Sequence, residues 1–322
     1  MTNEPVWQPS ASQAALKSRA QQLAFVRGFF AHRGVLEVET PILGQHGVTD
    51  PNLDGIQAHV SAGARTGGWL QTSPEYHMKR LLAAGFGSVY QVSRVFRNGE
   101  LGRRHNPEFS MLEWYREGFD DVALMSEVSD LVCGWLGCQP PETIHYRGAM
   151  ERWANIDPFE ATDRELRRRC EQWLEPEQLA DLSRDGCLDL LMSFAVEPNL
   201  GRQRPAFMTG YPASQASLAR VSTWDGLEIA HRFELYIDGL ELCNGYWELT
   251  DPQEQRRRFE ADNRLRRRSG SPEMALDEAF LAALERGLPE CSGVALGLDR
   301  LLMIKLGVED IREVLAFPFD QA

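Results

Sequence analysis

The stretch from Arg94 to Tyr115, RVFRNGELGRRHNPEFSMLEWY, constrains the chain most. Val95 and Phe96 stand near its start and Phe109, Met111, Leu112, Trp114 and Tyr115 at its end, while Arg97, Asn98, Glu100, Arg103, Arg104 and His105 crowd the middle. Two β-rich runs around a polar, turn-forming segment predict two antiparallel strands joined by a long loop. Arg97 at the end of the first strand and an Asn-Pro bend before the second set a planar, permanently charged fork beside the Phe109 ring. Such a pair suits a nucleotide, the guanidinium taking a phosphate bidentately and the ring stacking on a base. A hairpin that is simply charged and solvated fits the same stretch.

Composition narrows the field. With 322 residues, 43% of them hydrophobic, the chain can bury a sizeable core. Lys plus Arg number 34 against 47 Asp plus Glu, a net charge of -13, which disfavours general binding to nucleic acid. Cys133, Cys138, Cys170, Cys187, Cys243 and Cys291 form no CxxC pair, so neither a zinc site nor a disulfide framework is expected. No leader and no apolar run of about 18 residues is recognised, which points to a soluble, cytoplasmic protein with no membrane partner.

In chain order, Leu16, Ala20, Leu23, Val26 and Phe30 recur at helical spacing up to Gly34, and VLEVETPIL alternates like a strand closed by Pro41. Gly55 to Thr72 reads as a hairpin turning at GARTGG. In TSPEYHMKRLLAAG, Ser73 can cap, Pro74 suits the first turn and Gly85 stops the helix. Glu75 there is either a favourable charge at a helix start or a ligand-binding group. DVALMSEVSDLVCGWLG predicts a helix burying Val122, Met125, Val128, Leu131, Val132 and Trp135. The segment from about 140 to 205 is helical and charged, with Arg167, Arg168 and Arg169 on a solvated face.

In HRFELYIDGLELCNGYWELTD, Asp238-Gly239 is a two-residue hairpin signal. It pairs Ile237 with Leu240 and Tyr236 with Glu241, which makes Glu234 and Glu241 diagonal neighbours on one sheet face. Two carboxylates so close call for a cation between them, and magnesium carrying ATP phosphates is the candidate beside a solvated acidic face. Asn244-Gly245 is expected to break the ladder and redirect Glu248. Glu113 and Tyr115, two apart, share a strand face. DPQEQRRRFEADNRLRRRSG reads as a capped helix with solvent-facing arginine triplets. CSGVALGLDRLLMIKLG reads as a small-residue strand running into a helix, with Gly293 and Gly297 allowing close approach.

FRN, RHNPEF and MLEWY together resemble motif 2 of the class II aminoacyl-tRNA synthetases, in the wording of the lysyl branch. The resemblance implies Arg97 on the ATP α-phosphate, Phe109 on adenine, and Asn98, His105 and Asn106 around the nucleotide. The family's FRNE is FRNGE here, so Gly99 takes the glutamate's place and the contact passes to Glu100 or to a backbone carbonyl. The first helix and strand resemble motif 1, which implies a homodimer. SPEYHMKRLL resembles the lysyl substrate loop, implying Ser73, Pro74 and Glu75 at the substrate, with Glu75 on the amino group beside the reacting carboxylate. The NGFxEL likeness implies Glu113, Tyr115, Asn244 and Glu248 around an ammonium group, with Glu241 and Leu242 at ATP. The last strand and helix resemble motif 3, implying Gly297 beside ATP and Arg300 on adenine or the γ-phosphate. Ala295 replaces a pocket glycine of the lysyl synthetases.

The three motifs, in order, cover essentially the whole chain and imply an α+β fold. The expected architecture is a class II synthetase-like antiparallel β-sheet flanked by helices, one catalytic domain over 1–322 with the helical segment as an insertion. A short polar stretch precedes the first helix, so no anticodon reader and no tRNA partner are expected. WQPSAS, SPEYHMKR, RHNPEF, PASQASLAR and CSGVALG resemble the synthetase paralogues that modify elongation factor P. This implies that (R)-β-lysine is activated with ATP, with Arg97 and Arg300 as catalytic residues and Mg2+ as cofactor, and passed to a lysine ε-amino group of that factor. A tRNA-charging lysyl enzyme and a catalytically silent regulator stand as alternatives.

Overall fold

The computed structural model describes residues 7–62, 65–180 and 182–322. Ser12 accepts the Ala15 amide and starts α1 (Gln13–Ala31) by satisfying an otherwise orphaned donor. There follow β1 (Leu36–Glu37), β2 (Leu43–Gly44), β3 (Gln57–Ala62), β4 (Arg65–Leu70), α2 (Glu75–Ala83), β5 (Val89–Phe96) and β6 (Glu108–Glu117). Then come α3 (Asp121–Leu136), β7 (Glu142–His145) and four short helices, α4 (Tyr146–Ala149), α5 (Asp163–Cys170), α6 (Pro176–Ala180) and α7 (Arg184–Leu191). The strands β8 (Ala206–Pro212), β9 (Val221–Trp224), β10 (Leu227–Ile237) and β11 (Leu240–Trp247) precede α8 (Pro252–Arg268), α9 (Glu278–Gly287), β12 (Cys291–Gly297) and α10 (Leu298–Leu306).

The chain divides into two compact units, one of Met1–Gly118, Thr250–Cys291 and Ala295–Ala322, the other of Phe119–Leu249 and Ser292–Val294. In the first, β5 and β6 pair antiparallel without a slip from Val89↔Tyr115 to Phe96↔Glu108. β1 lies parallel to β5, and β2, β4 and β3 form a separate small sheet. Aromatic packing closes this core, with Phe30 stacked on Tyr90 at 4.3 Å and edge-on to Trp114 at 5.4 Å. Asp299, in the first turn of α10, accepts the Ser110 amide at 2.7 Å and forms an ion pair with Arg19 of α1.

The second unit carries strands in the order β11, β10, β8, β7, with β9 beside β10. Its helical segment packs on those strands: Tyr146, Leu166, Leu188, Leu191 and Val196 share one buried cluster with Met208, Tyr211 and Tyr236. Asp120 caps α3, and Gly137 ends it in the left-handed region at φ 77°, where a side chain would be strained.

Several local expectations change. The strand read over VLEVETPIL is broken in two: Leu36 and Glu37 pair with Val89 and Tyr90 in β1, and Leu43 pairs with Leu70 in β2. The α1 core face consists of Ala15, Gln22, Val26, Phe29 and Phe30; Ala20 is exposed. α3 buries Val128, Leu131 and Val132 as expected, but Val122 is 64% exposed and Leu124 and Glu127 join the buried face. Of the turn expected over GARTGG, Arg65, Thr66, Gly67 and Gly68 belong instead to β4, and Gly63 and Ala64 lie outside the described residues. Arg266, read as solvent-facing, is 1% exposed, donating to the carbonyls of Pro272 at 2.8 Å and Asp50 at 2.9 Å.

Candidate active site

The β5–β6 hairpin puts Arg97 one residue beyond β5, opposite the start of β6. Its guanidinium carbon lies 5.1 Å from the Phe109 ring centroid, and Nη1 is 3.6 Å from Glu100 Oε1. The buried Nε of Arg97 has no hydrogen-bond partner among the described residues, which leaves a donor for an arriving anion. Gly99 has φ 77°, a backbone that L side chains rarely adopt, and this explains the insertion of glycine where a glutamate was expected. The Asn98 amide is bound by the Asp54 carbonyl at 2.8 Å. Asn106 is pinned from both sides, donating to the Glu108 carbonyl at 2.6 Å and accepting the Phe319 amide at 3.0 Å.

Arg300 sits inside α10, whose N-cap is Gly297. Its Nη2 donates to His105 Nε2 at 2.8 Å. A guanidinium can only donate, so this imidazole nitrogen must accept and the ring is neutral. Burial first, and then the Arg300 charge, hold the His105 pKa below its ordinary value. Two guanidinium groups and an aromatic face thus come from the two elements that the sequence singled out.

A second cluster in the same unit is built on the start of α2. Ser73 Oγ accepts the Glu75 amide at 3.0 Å, so the cap comes from the residue ahead of Pro74. The same hydroxyl donates to Glu113 Oε2 at 2.7 Å, and Tyr115 donates to Glu113 Oε1 at 2.7 Å. Glu113 and Tyr115 do share a strand face, as their spacing required. Glu113 is 2% exposed, and burial, followed by repulsion from Glu75, pushes its pKa up to about 7. Glu75 Oε1 accepts from Lys79 Nζ at 2.6 Å.

In the second unit, the Asp238-Gly239 turn gives the expected pairs Ile237↔Leu240 and Tyr236↔Glu241. A bulge then shifts the register, so Glu234 faces Asn244. The irregularity comes before Asn244-Gly245, which stays in the ladder rather than breaking it. Gly245 pairs with Phe233, whose ring occupies the space a Cβ would need. Leu242 is buried, and Glu248 is 1% exposed on an isolated bridge to Ala219.

Glu234 is not arranged as half of a metal pair. Its Oε1 accepts from Arg232 at 2.5 Å and from Asn244 at 3.2 Å; its Oε2 accepts from Tyr211 at 2.5 Å and Tyr236 at 2.6 Å. Four donors occupy the oxygens that magnesium would require. Among the described residues no group of three or more His, Cys, Asp or Glu is placed to hold a metal ion. The residues present therefore do not fit the shared-magnesium expectation for Glu234 and Glu241.

Sequence reasoning missed Lys79, Arg232, Tyr211 and Tyr236. Lys79 stands four residues after Glu75, the helical ion-pair spacing, and Arg232 and Tyr236 flank Glu234 at the strand period, so each had a local signal. Tyr211 had none, since it arrives from β8. Ala295 is half-buried in β12.

The family model described as tRNA synthetases class II (D, K and N) matches residues 7–321. Among curated proteins, the "Elongation factor P--(R)-beta-lysine ligase" of Proteus mirabilis (strain HI4320) is 53% identical over 321 residues, 98% of each chain. The proteins of the same name from Salmonella dublin and Salmonella paratyphi B are 50% identical over 327 residues, 100% of each chain.

Proposed function

The chain belongs to the class II tRNA synthetases of the D, K and N group, and we propose that it is a ligase that activates (R)-β-lysine with ATP and transfers the β-lysyl group to a lysine ε-amino group of elongation factor P. Full-length relatives at 50% to 53% identity bear the name of that activity. The observation that carries the reading is the Ser73–Glu75–Glu113–Tyr115 cluster. The buried Glu113 carboxylate, held by two hydroxyls, with the part-buried Glu75 beside it, suits a compact three-donor ammonium, which needs acceptors around it once it leaves water.

On this reading Arg97 grips the α-phosphate and Phe109 stacks on the base. Arg300 holds the nucleotide from α10, while Asn98, Gly99, Glu100, His105, Asn106 and Gly297 are the ATP residues of the first unit; Glu241 and Leu242, in the second unit, take that role from the family resemblance alone. In the first unit Ser73, Pro74, Glu75, Glu113, Tyr115 and Ala295 are assigned to the amino acid; Asn244 and Glu248, in the second unit, take that role from the family resemblance alone. The substrate carboxylate attacks the α-phosphorus in line, a bond forms to that oxygen, and diphosphate leaves. Fixed guanidinium groups stabilise the charge that develops, and no protein nucleophile is needed. The ε-amino group of the acceptor lysine then attacks the acyl carbon and AMP departs. Magnesium would travel with the ATP phosphates; no step is assigned to it, and Glu234 is withdrawn as its ligand. Cytoplasmic location and a homodimer through α1 and β1 belong to the same proposal, and no described helix is long and apolar enough to cross a membrane.

The test is diphosphate exchange with lysine and with (R)-β-lysine, followed by labelling of purified elongation factor P or tRNA. Exchange that favours (R)-β-lysine, with label on the factor, is expected. Label on tRNA alone makes the chain a tRNA-charging enzyme, and no exchange makes it a silent paralogue.

A further inference from the structure

Lys79 is 1% exposed, deep burial for a strongly hydrated ammonium. Its Nζ donates to Glu75 Oε1 at 2.6 Å, one helical turn back, and stands 6.0 Å from the ring centroids of both Tyr115 and Phe280. Tyr115 donates to Glu113, and Ser73 touches both acidic residues. Glu75, part-buried, and Glu113, buried, therefore lie in one network and repel each other. Among the described residues, other groups stand near them. Gln91, opposite Glu113 on β5, is a neutral amide. Tyr76 of α2 carries the influence of Glu75, Asp262 of α8 and Asp50, and α9 presents the Phe280 ring.

A pocket that receives ammonium groups must keep its carboxylates ionised before the ligand arrives, yet two buried carboxylates left together share a proton. We propose that Lys79 is a positioning residue: its ammonium holds Glu75 in place and offsets part of the Glu75–Glu113 repulsion, so that the diamino acid displaces fewer protons as it enters. This rests on Glu75 and Glu113 being the ammonium-holding groups of the proposed function.

Lys79→Met keeps the length of the side chain and removes its charge. An opposite charge at such range shifts a carboxylate by one or more pH units, so the KM for (R)-β-lysine should rise about ten-fold or more near pH 7. The difference should shrink towards pH 9, while kcat and the KM for ATP move little. Calorimetry in two buffers of different ionisation enthalpy should show more protons released on (R)-β-lysine binding to the variant than to the wild type. Lys79→Arg, which restores the charge, should recover much of the pH profile. If Lys79→Met does not fold, Lys79→Met/Glu75→Gln removes both charges and should return the pH profile of KM towards that of the wild type; a limb that stays shifted overturns the role.

Parallel loss of KM and kcat at every pH, or unchanged proton release, also overturns it and leaves Lys79 as packing. Wild-type exchange with an unaltered Lys79→Met profile defeats this inference alone. Wild-type protein inert towards lysine and (R)-β-lysine defeats the reading of the pocket, and this inference with it.

Discussion

Glu113 and Glu234 are both buried strand carboxylates, and each accepts a hydrogen bond from a tyrosine two residues further along its own strand. They differ in what else surrounds them. Glu234 is paired directly with Arg232 and takes two further bonds, from Tyr211 and Asn244, so its charge is met on the spot. Among the described residues, Glu113 takes direct hydrogen bonds from the hydroxyls of Ser73 and Tyr115, and Glu75 repels it. The first carboxylate is paired directly within its own unit; the second feels the Lys79 ammonium, which is bonded to Glu75 instead, only at a distance. Burial alone does not mark a functional acid. The absence of an adjacent guanidinium does.

The largest expected effect falls on the finished site. Arg232→Met leaves Glu234 buried without its charge partner, which typically costs about 3 to 5 kcal/mol. Urea denaturation should show that loss, and a change under 1 kcal/mol would mean that the tyrosines alone suffice.

Next comes Glu113. Its pKa is raised from 4.5 to about 7, so between those values the folded chain holds a proton that the unfolded chain has given up. Stability contributed by this group is therefore present at the acid end and lost as pH rises through that window. The shift, about 7 minus 4.5, amounts to roughly 3 kcal/mol. Glu113→Gln should flatten the slope and stabilise the protein above neutrality while weakening (R)-β-lysine binding; denaturation curves across pH check the sign, and an unchanged slope removes the contrast with Glu234.

Arg97→Ala removes a charge-assisted contact worth about 1.5 to 3 kcal/mol, so kcat/KM for ATP in diphosphate exchange should fall by roughly 10 to 150-fold with the fold intact. The smallest effect concerns selectivity. Ala295→Gly removes one methyl group, a change worth roughly 1 to 3 kcal/mol between competing substrates, and should move the lysine to (R)-β-lysine ratio of kcat/KM towards lysine. An unmoved ratio, measured by exchange with both isomers, places selectivity elsewhere.

What could be read from sequence followed how local the cause was. The β5–β6 hairpin, the Ser73 cap, the Asp238-Gly239 turn and the passage from β12 to α10 depend on neighbouring residues, and all were legible. β1 was overextended because alternation cannot say where a partner strand ends. Arg266 was misread because a run of arginines looks solvated until a carbonyl from Asp50, far away in sequence, arrives to bury one. The saturation of Glu234 was hidden for the same reason: Tyr211 comes from another strand, and the bulge in β11 leaves no mark in the residue pattern.

The ion pair between Arg19 and Asp299 has a mechanical consequence. Asp299 and Arg300 are consecutive in the first turn of α10, and Asp299 also grips the backbone of β6 at Ser110. α1 is thereby geared to the guanidinium of Arg300. A displacement of α1 is felt one residue away from Arg300, the group proposed to hold the nucleotide, and, because linkage is reciprocal, a ligand bound there and a partner bound on α1 would change each other's affinity by the same factor.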